Sequence, residues 1–213
     1  LLDPPIDTWL SRESLQFPFQ PFPYQLEGIA FLYPRHMAVL ADEMGLGKTM
    51  QAITSVRLLL HSRQISNVLL ICPKPLVTNW QREFALWAPE VPLLIIEGDA
   101  AKRRWQWLLP APVKIANYEL LQRDQELLLD ADRQFDLVVL DESQRIKNRG
   151  STTAQITRSI SRRRSWALTG TPVENSAEDL IGIFEFLSPG YLSPHMNPRQ
   201  LGEAASEHVL RRT

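Results

Sequence analysis

Nine residues, Ala41-Asp42-Glu43-Met44-Gly45-Leu46-Gly47-Lys48-Thr49, constrain this chain more than any other stretch. They follow an apolar run, Met37–Ala41, and lead into a segment where Ile53, Val56 and Leu60 recur at helical spacing. A strand that ends in a glycine-bearing turn and passes straight into a helix is half of a parallel-sheet unit, so the predicted fold class is α/β. The turn also implies a chemistry. Gly45 and Gly47 let the backbone turn tightly with its N–H groups pointing to one place, and the helix start adds partial positive charge there. That arrangement suits phosphate oxygens. Lys48 is placed to bridge terminal phosphates as a point charge, and Thr49 to offer its hydroxyl to Mg²⁺. The generic pattern G-x-x-x-x-G-K-[ST] has glycine where this chain has Asp42. Taken alone, the stretch also fits a glycine-rich turn that merely caps a helix.

The rest of the chain repeats the alternation. Short, continuous apolar runs at Val68–Cys72, Leu93–Ile96, Val113–Ala116, Leu137–Leu140 and Trp166–Leu168 read as strands covered on both faces. Between them, Val77, Trp80, Phe84 and Trp87 recur at three- and four-residue spacing and mark the inward stripe of a helix. The expected architecture is a central, mostly parallel sheet with helices on both faces. Residues 1–20 read as an irregular N-terminal extension, 21–190 as the globular lobe, and 191–213 as an exit linker. Prolines 18, 21 and 23 interrupt any regular element around the start of the lobe.

Composition excludes more than it selects. The 213 residues carry a formal net charge of -1, so nucleic-acid contact would have to come from local clusters of cations. One cysteine, Cys72, excludes an internal disulfide and fits a reducing, intracellular compartment. No apolar run approaches the ~20 residues that span a bilayer, so no membrane partner is expected. The N-terminus does not read as a signal peptide, and without an initiator methionine the chain looks like a piece of a longer protein.

The second informative motif is Asp136-Leu137-Val138-Val139-Leu140 running into Asp141-Glu142. A hydrophobic strand ending in two carboxylates places them at the carboxyl edge of the sheet, where α/β proteins bind ligands. Asp141 is the candidate ligand for Mg²⁺, and Glu142 the candidate base for an attacking water. An acidic pair by itself equally fits a solvated strand end. The phosphate loop upstream favours the chemical reading.

Together, DEMGLGKTMQAI, ICPKPLVTNWQREFALWAP, LVVLDESQRIKN and WALTGTPVENSAEDL resemble, in order and spacing, the first lobe of Swi/Snf-type ATPases. These are superfamily-two, helicase-like enzymes that translocate on duplex DNA and remodel or displace bound protein. The resemblance covers about residues 20–190 and implies a RecA-like lobe, ATP and Mg²⁺ as ligands, duplex DNA as partner and DNA-bound proteins as targets. An Asp at position 42 is normal for that family.

The resemblance assigns roles to matching positions. Gln25, in Pro23-Tyr24-Gln25, falls where a glutamine reads the adenine edge. Phe22 replaces the family's usual arginine, and Phe22 and Tyr24 either stack near the base or are core aromatics. Asp42, Glu43, Met44, Gly45, Leu46, Gly47, Lys48 and Thr49 form the ATP loop. Thr49 and Asp141 hold the metal, and Glu142, Lys48 and Gln144 carry catalysis. Lys74 and Asn79 match the first DNA-tracking motif; Trp80 fits it too, although its spacing marks it as core. Asn117, ahead of Tyr118, matches a further backbone-contacting segment, with an ordinary helix cap as the alternative. Arg145, Lys147 and Asn148 lie where the family meets the second DNA strand, with a solvated basic loop as the alternative. Thr169, Gly170 and Thr171 match the coupling motif, with Thr171 also a DNA contact; the hydroxyls of this turn either sense the γ-phosphate or bond to Glu142 and Gln144. The family has histidine where Gln144 stands, so coupling through a titrating histidine is excluded here. Arg162, Arg163 and Arg164 read as a solvated helix end before the last strand.

In that family an arginine finger comes from a second lobe of similar fold, and such a finger is worth ~10³–10⁵ in rate. Residues 1–213 alone are therefore expected to bind ATP weakly and hydrolyse it very slowly. Two alternatives stay open: an RNA or single-strand helicase, and a non-hydrolysing nucleotide switch or DNA-binding module.

Overall fold

A computed structural model describes residues 17–170 and 177–212. In chain order the elements are α1 (Pro23–Leu32), β1 (Met37–Leu40), α2 (Lys48–His61), β2 (Val68–Cys72), α3 (Val77–Trp87), β3 (Leu93–Ile95), α4 (Ala100–Leu108) and β4 (Val113–Asn117). Two single turns, α5 (Tyr118–Leu121) and α6 (Gln125–Leu128), lead to β5 (Phe135–Leu140), α7 (Thr152–Ser159) and β6 (Arg162–Leu168). The chain ends in α8 (Ala177–Leu187), α9 (Pro198–Ser206) and β7 (Val209–Leu210). Short 3₁₀ turns, Lys74–Leu76 and Ser143–Ile146, follow β2 and β5.

The strands form one sheet in the order β3-β4-β2-β5-β6-β1-β7. Every pair in it is parallel. Parallel strands need crossovers that cover both faces, and the core accordingly divides in two. On one face Ile29 and Leu32 of α1, Ile53 and Val56 of α2, and Trp80 and Phe84 of α3 pack on Leu70, Leu137 and Trp166. On the other, Trp107 of α4, Leu121 of α5, Ile156 of α7 and Phe184 of α8 pack on Leu69, Val138 and Ala167. Adjacent residues of one strand thus serve opposite cores, which is why these strands read as unbroken apolar runs.

Two segments differ from the sequence expectation. The arginine run is not a solvated helix end: Arg162, Arg163 and Arg164 form the first half of β6. Arg162 turns back to donate to the carbonyls of Thr157 (3.1 Å), Arg158 (3.1 Å) and Ile160 (2.5 Å) at the C-terminus of α7, so it serves the helix end from the strand. Its burial lowers the guanidinium to about 10. Arg164 is buried and donates to the Tyr33 carbonyl and to Gln64 Oε1, both at 3.1 Å. The second is residues 191–213, which carry regular structure that the sequence reading did not assign. Asn197 caps α9, with its side chain accepting from the Gln200 amide at 3.0 Å and Gln200 reaching back, and Pro198 occupies the first turn. β7 then lies beside β1, pairing Val39 with Val209 and Leu40 with Leu210. Among the described residues no helix is long and apolar enough to cross a membrane.

Candidate nucleotide and nucleic-acid site

The carboxyl ends of β1, β6 and β5 bring the phosphate-loop and acidic-pair residues to one edge. β6 stands between the other two, so the two motifs meet across an intervening strand and not on adjacent tips. Gly47 takes the left-handed conformation (φ 75°) as the N-cap of α2, and a Cβ there would lie 2.7 Å from Gln25 Nε2. Gln25 thus sits directly over the loop, its Oε1 accepting from the Phe22 amide at 3.0 Å. Phe22 and Tyr24 stack on each other, centroids 5.6 Å apart and 6° from parallel. Phe22 is 61% exposed and so is not a core aromatic.

Lys48 opens α2, and its ammonium donates to the carbonyls of Asp42 (2.6 Å) and Glu43 (3.0 Å). Burial lowers its pKa, while the charges of Asp42, Glu142 and Asp141 act in the opposite sense. Loop lysine and acidic pair therefore lie within one electrostatic neighbourhood. Gly170 closes the group, since a Cβ there would meet Met44 Cγ at 3.0 Å and Lys48 Nζ at 3.6 Å. Thr49 stands half-buried in the first turn of α2.

Asp141 is 8% exposed. Its Oδ1 accepts from the Glu142 amide at 2.9 Å and its Oδ2 from Trp80 Nε1 at 2.8 Å. Burial raises its pKa; the bond from Trp80 opposes this, and the neighbouring Glu142 charge adds to it. The buried Tyr118 hydroxyl donates to the Asp141 carbonyl at 2.8 Å. Trp80 is thus both the core residue that its spacing indicates and the group that orients this carboxylate. Helical periodicity showed the first role and could not show the second, because the bond spans 61 positions.

Glu142 adopts a left-handed backbone (φ 51°, ψ 51°), uncommon for a residue with a side chain and retained where the surroundings enforce it. Its Oε2 accepts from Gln144 Nε2 at 2.6 Å, and Gln144 Oε1 accepts from Thr169 Oγ1 at 3.0 Å. A chain Thr169–Gln144–Glu142 therefore crosses from the tip of β6 to that of β5. Thr171 lies outside the described residues.

The donor set fits a magnesium ion held together with a triphosphate. One buried carboxylate and one hydroxyl suit a cation that keeps water and phosphate in its shell. Among the described residues no cluster of three or more His, Cys, Asp or Glu side chains could hold a metal alone. Cys72, buried at the tip of β2, has its thiol pushed up to about 12, chiefly by burial with Asp141 and Glu119 adding, and is no nucleophile at neutral pH.

The residues expected to meet DNA follow β2, β4 and β5, along the other half of the same edge. Lys74 is exposed in the turn after β2, and Asn79, in the first turn of α3, accepts from Arg82 Nη2 at 3.0 Å. Asn117 precedes α5 without a side-chain cap bond, and its buried Oδ1 has no hydrogen-bond partner. Arg145 faces Glu119 at 3.4 Å and Lys147 faces Asp179 at 3.3 Å. Asn148 Oδ1 accepts from the Gly150 amide at 3.1 Å. A cavity of about 660 Å³ lies at the opposite, amino-terminal edge, between Asn67, Trp107, Lys114 and Arg133, and shares no lining residue with this constellation.

The chain is similar in sequence and fold to known proteins. Over 200 residues the chain is 34% identical to the ISWI chromatin-remodeling complex ATPase ISW1 of Saccharomyces cerevisiae, covering 85% of this chain and 18% of that protein. Over 183 residues it is 35% identical to the DNA excision repair protein ERCC-6-like of Mus musculus, covering 80% of this chain and 15% of that one. Its fold superimposes on the Sulfolobus solfataricus SWI2/SNF2 ATPase core in complex with dsDNA with a TM-score of 0.84 at 28% identity, over 94% of this chain and 46% of that one. The chain therefore spans under a fifth of these curated relatives and about half of the solved core. Residues 24–200 match the SNF2-related domain, and the chain belongs to that family.

Proposed function

We propose that this chain is the first RecA-like, ATP-handling lobe of a DNA-dependent ATPase that translocates on duplex DNA and remodels protein–DNA complexes. The observation that carries this reading is the hydrogen-bonded chain Thr169–Gln144–Glu142 beside a loop lysine that senses both acidic residues. It supplies a carboxylate of fixed orientation where water would attack, linked to the turn that precedes Thr171. Similarity to a core solved with dsDNA supports duplex DNA as the partner.

In this mechanism the loop N–H groups and Lys48 hold the phosphates, and Gln25 with the Phe22–Tyr24 stack receives the base. Thr49 and Asp141 would hold Mg²⁺, which when bound neutralises charge on the phosphate oxygens. Glu142 accepts the proton of the attacking water, and Gln144 fixes the carboxylate for that task. Lys74, Asn79, Asn117, Arg145, Lys147, Asn148 and Thr171 contact the DNA backbone. A second lobe of similar fold completes the site with an arginine finger, so residues 1–213 alone hydrolyse ATP very slowly.

The test uses the full-length protein. Glu142→Gln should lower phosphate release by ~10²–10⁴ while ATP still binds. Background release from wild type and variant alike would leave a nucleotide-binding module without hydrolysis, and measurable release that the variant keeps would remove Glu142 as the base. Stimulation of the wild-type rate should be greatest with duplex DNA. Greater stimulation by RNA or single strands would reassign the substrate.

A further inference from the structure

The aspartate that replaces the loop's usual first glycine has a partner 170 positions away. Asp42 is fully buried, and a buried carboxylate persists only where donors surround it. Arg212, just beyond β7, donates from Nε to Asp42 Oδ1 at 3.0 Å and from Nη2 to Oδ2, the forked geometry that only a guanidinium offers. Gln51 Nε2 adds a bond to Oδ2 at 3.3 Å. The same guanidinium donates to Gln51 Oε1 at 2.7 Å and to the Tyr24 carbonyl. The backbone continues the contact: the Ala41 amide donates to the Leu210 carbonyl at 2.8 Å and the Glu43 amide to the Arg212 carbonyl at 3.0 Å. Gly28 makes room for the group, because a Cβ there would lie 1.6 Å from Gln51 Oε1 and 2.8 Å from Arg212 Nη2.

Neutralising one buried carboxylate needs a single contact to Asp42. This guanidinium instead joins three separate segments, and all three belong to the ATP site: the phosphate loop, the first turns of α2 and the segment that carries Gln25. We propose that Arg212 is a positioning residue for ATP, one that sets the shape of the phosphate loop and links its occupancy to the strand β7 that precedes it. This rests on the reading of the loop as an ATP site. Because coupling between two sites is reciprocal, whatever β7 does to ATP affinity ATP must do to β7.

Arg212→Lys in the full-length protein keeps the charge and removes the fork. We expect its affinity for a fluorescent ATP analogue and its KM for ATP to worsen about tenfold, with kcat within about twofold, a size typical of coupled sites. Hydrogen exchange of residues 208–212 should slow on adding ATP in the wild type and not in the variant. The double variant Asp42→Gly with Arg212→Met removes the buried charge with its partner and covers the case in which Arg212→Lys does not fold. It should bind ATP but lose the ATP-dependent protection of β7. The proposal is overturned if either folded variant shows wild-type KM together with ATP-dependent protection of β7, or if melting temperature alone changes. A wild-type protein that binds no analogue is a separate failure, and it removes the ATP reading itself.

Discussion

At the tips of β5 and β6, Glu142, Gln144 and Thr169 are joined by bonds of 2.6 and 3.0 Å, and Asp141 is held by the Trp80 indole and a backbone amide. Farther along the same edge the cations Arg145 and Lys147 stand about half exposed, each opposite a single carboxylate at 3.4 and 3.3 Å. On the proposed function, the contrast follows from what each half would have to do. Activating a water against one phosphorus requires groups fixed to a fraction of an ångström, which buried hydrogen bonds provide. Contacts to a moving phosphate backbone must be made and released repeatedly. A surface ion pair worth at most about 1 kcal/mol can be exchanged for a phosphate at little cost.

Four variants can break or sharpen this contrast, given in order of expected size. Gln144→Ala removes the link between Thr169 and Glu142. In the full-length enzyme it should cost ~10–100-fold in kcat, as for other residues that orient a catalytic group, with ATP affinity unchanged. Trp80→Phe preserves most of the core volume and deletes one bond to a buried carboxylate. It should reduce hydrolysis roughly tenfold and lower stability by ~1.5–3 kcal/mol, measured by steady-state assay and denaturant titration. Arg145→Ala combined with Lys147→Ala should leave stability within about 0.5 kcal/mol. It should also raise the duplex concentration for half-stimulation severalfold and reduce the salt slope by about two. Asp179→Asn releases Lys147 from its partner and should strengthen DNA stimulation about twofold at low salt, an effect lost at high salt. Equal loss of stability from the first and third changes would show that the two halves are built alike.

The geometry of the phosphate-loop half of the candidate site was legible in the sequence, because its requirements are local. A glycine that must accept a left-handed turn, a lysine at the helix start and two acids at a strand end are all visible within a few residues. The bond from Thr169 to Gln144 was one of two roles open to that turn, although its members are 25 positions apart, because both belong to recognisable motifs. What escaped notice depends on distant partners. Periodicity placed Trp80 in the core and was silent on where its N–H points. The arginine run looked like a helix terminus because charge dominates its composition, whereas pairing with Phe135 and Leu137 makes it a strand. The segment after residue 190 looked irregular, although Asn197, Pro198 and Gln200 spell a helix start that could have been read.

β7 pairs only two residues, yet it changes the status of its neighbour. With it in place, β1 has hydrogen-bonded strands on both sides; without it, β1 becomes a bare margin whose amides at Val39 and Ala41 lose the carbonyls of His208 and Leu210. Unpaired margins recruit strands from other molecules. A truncation ending at Ser206 should therefore self-associate more readily than one extended to Arg212, even though every residue of the phosphate loop is still present.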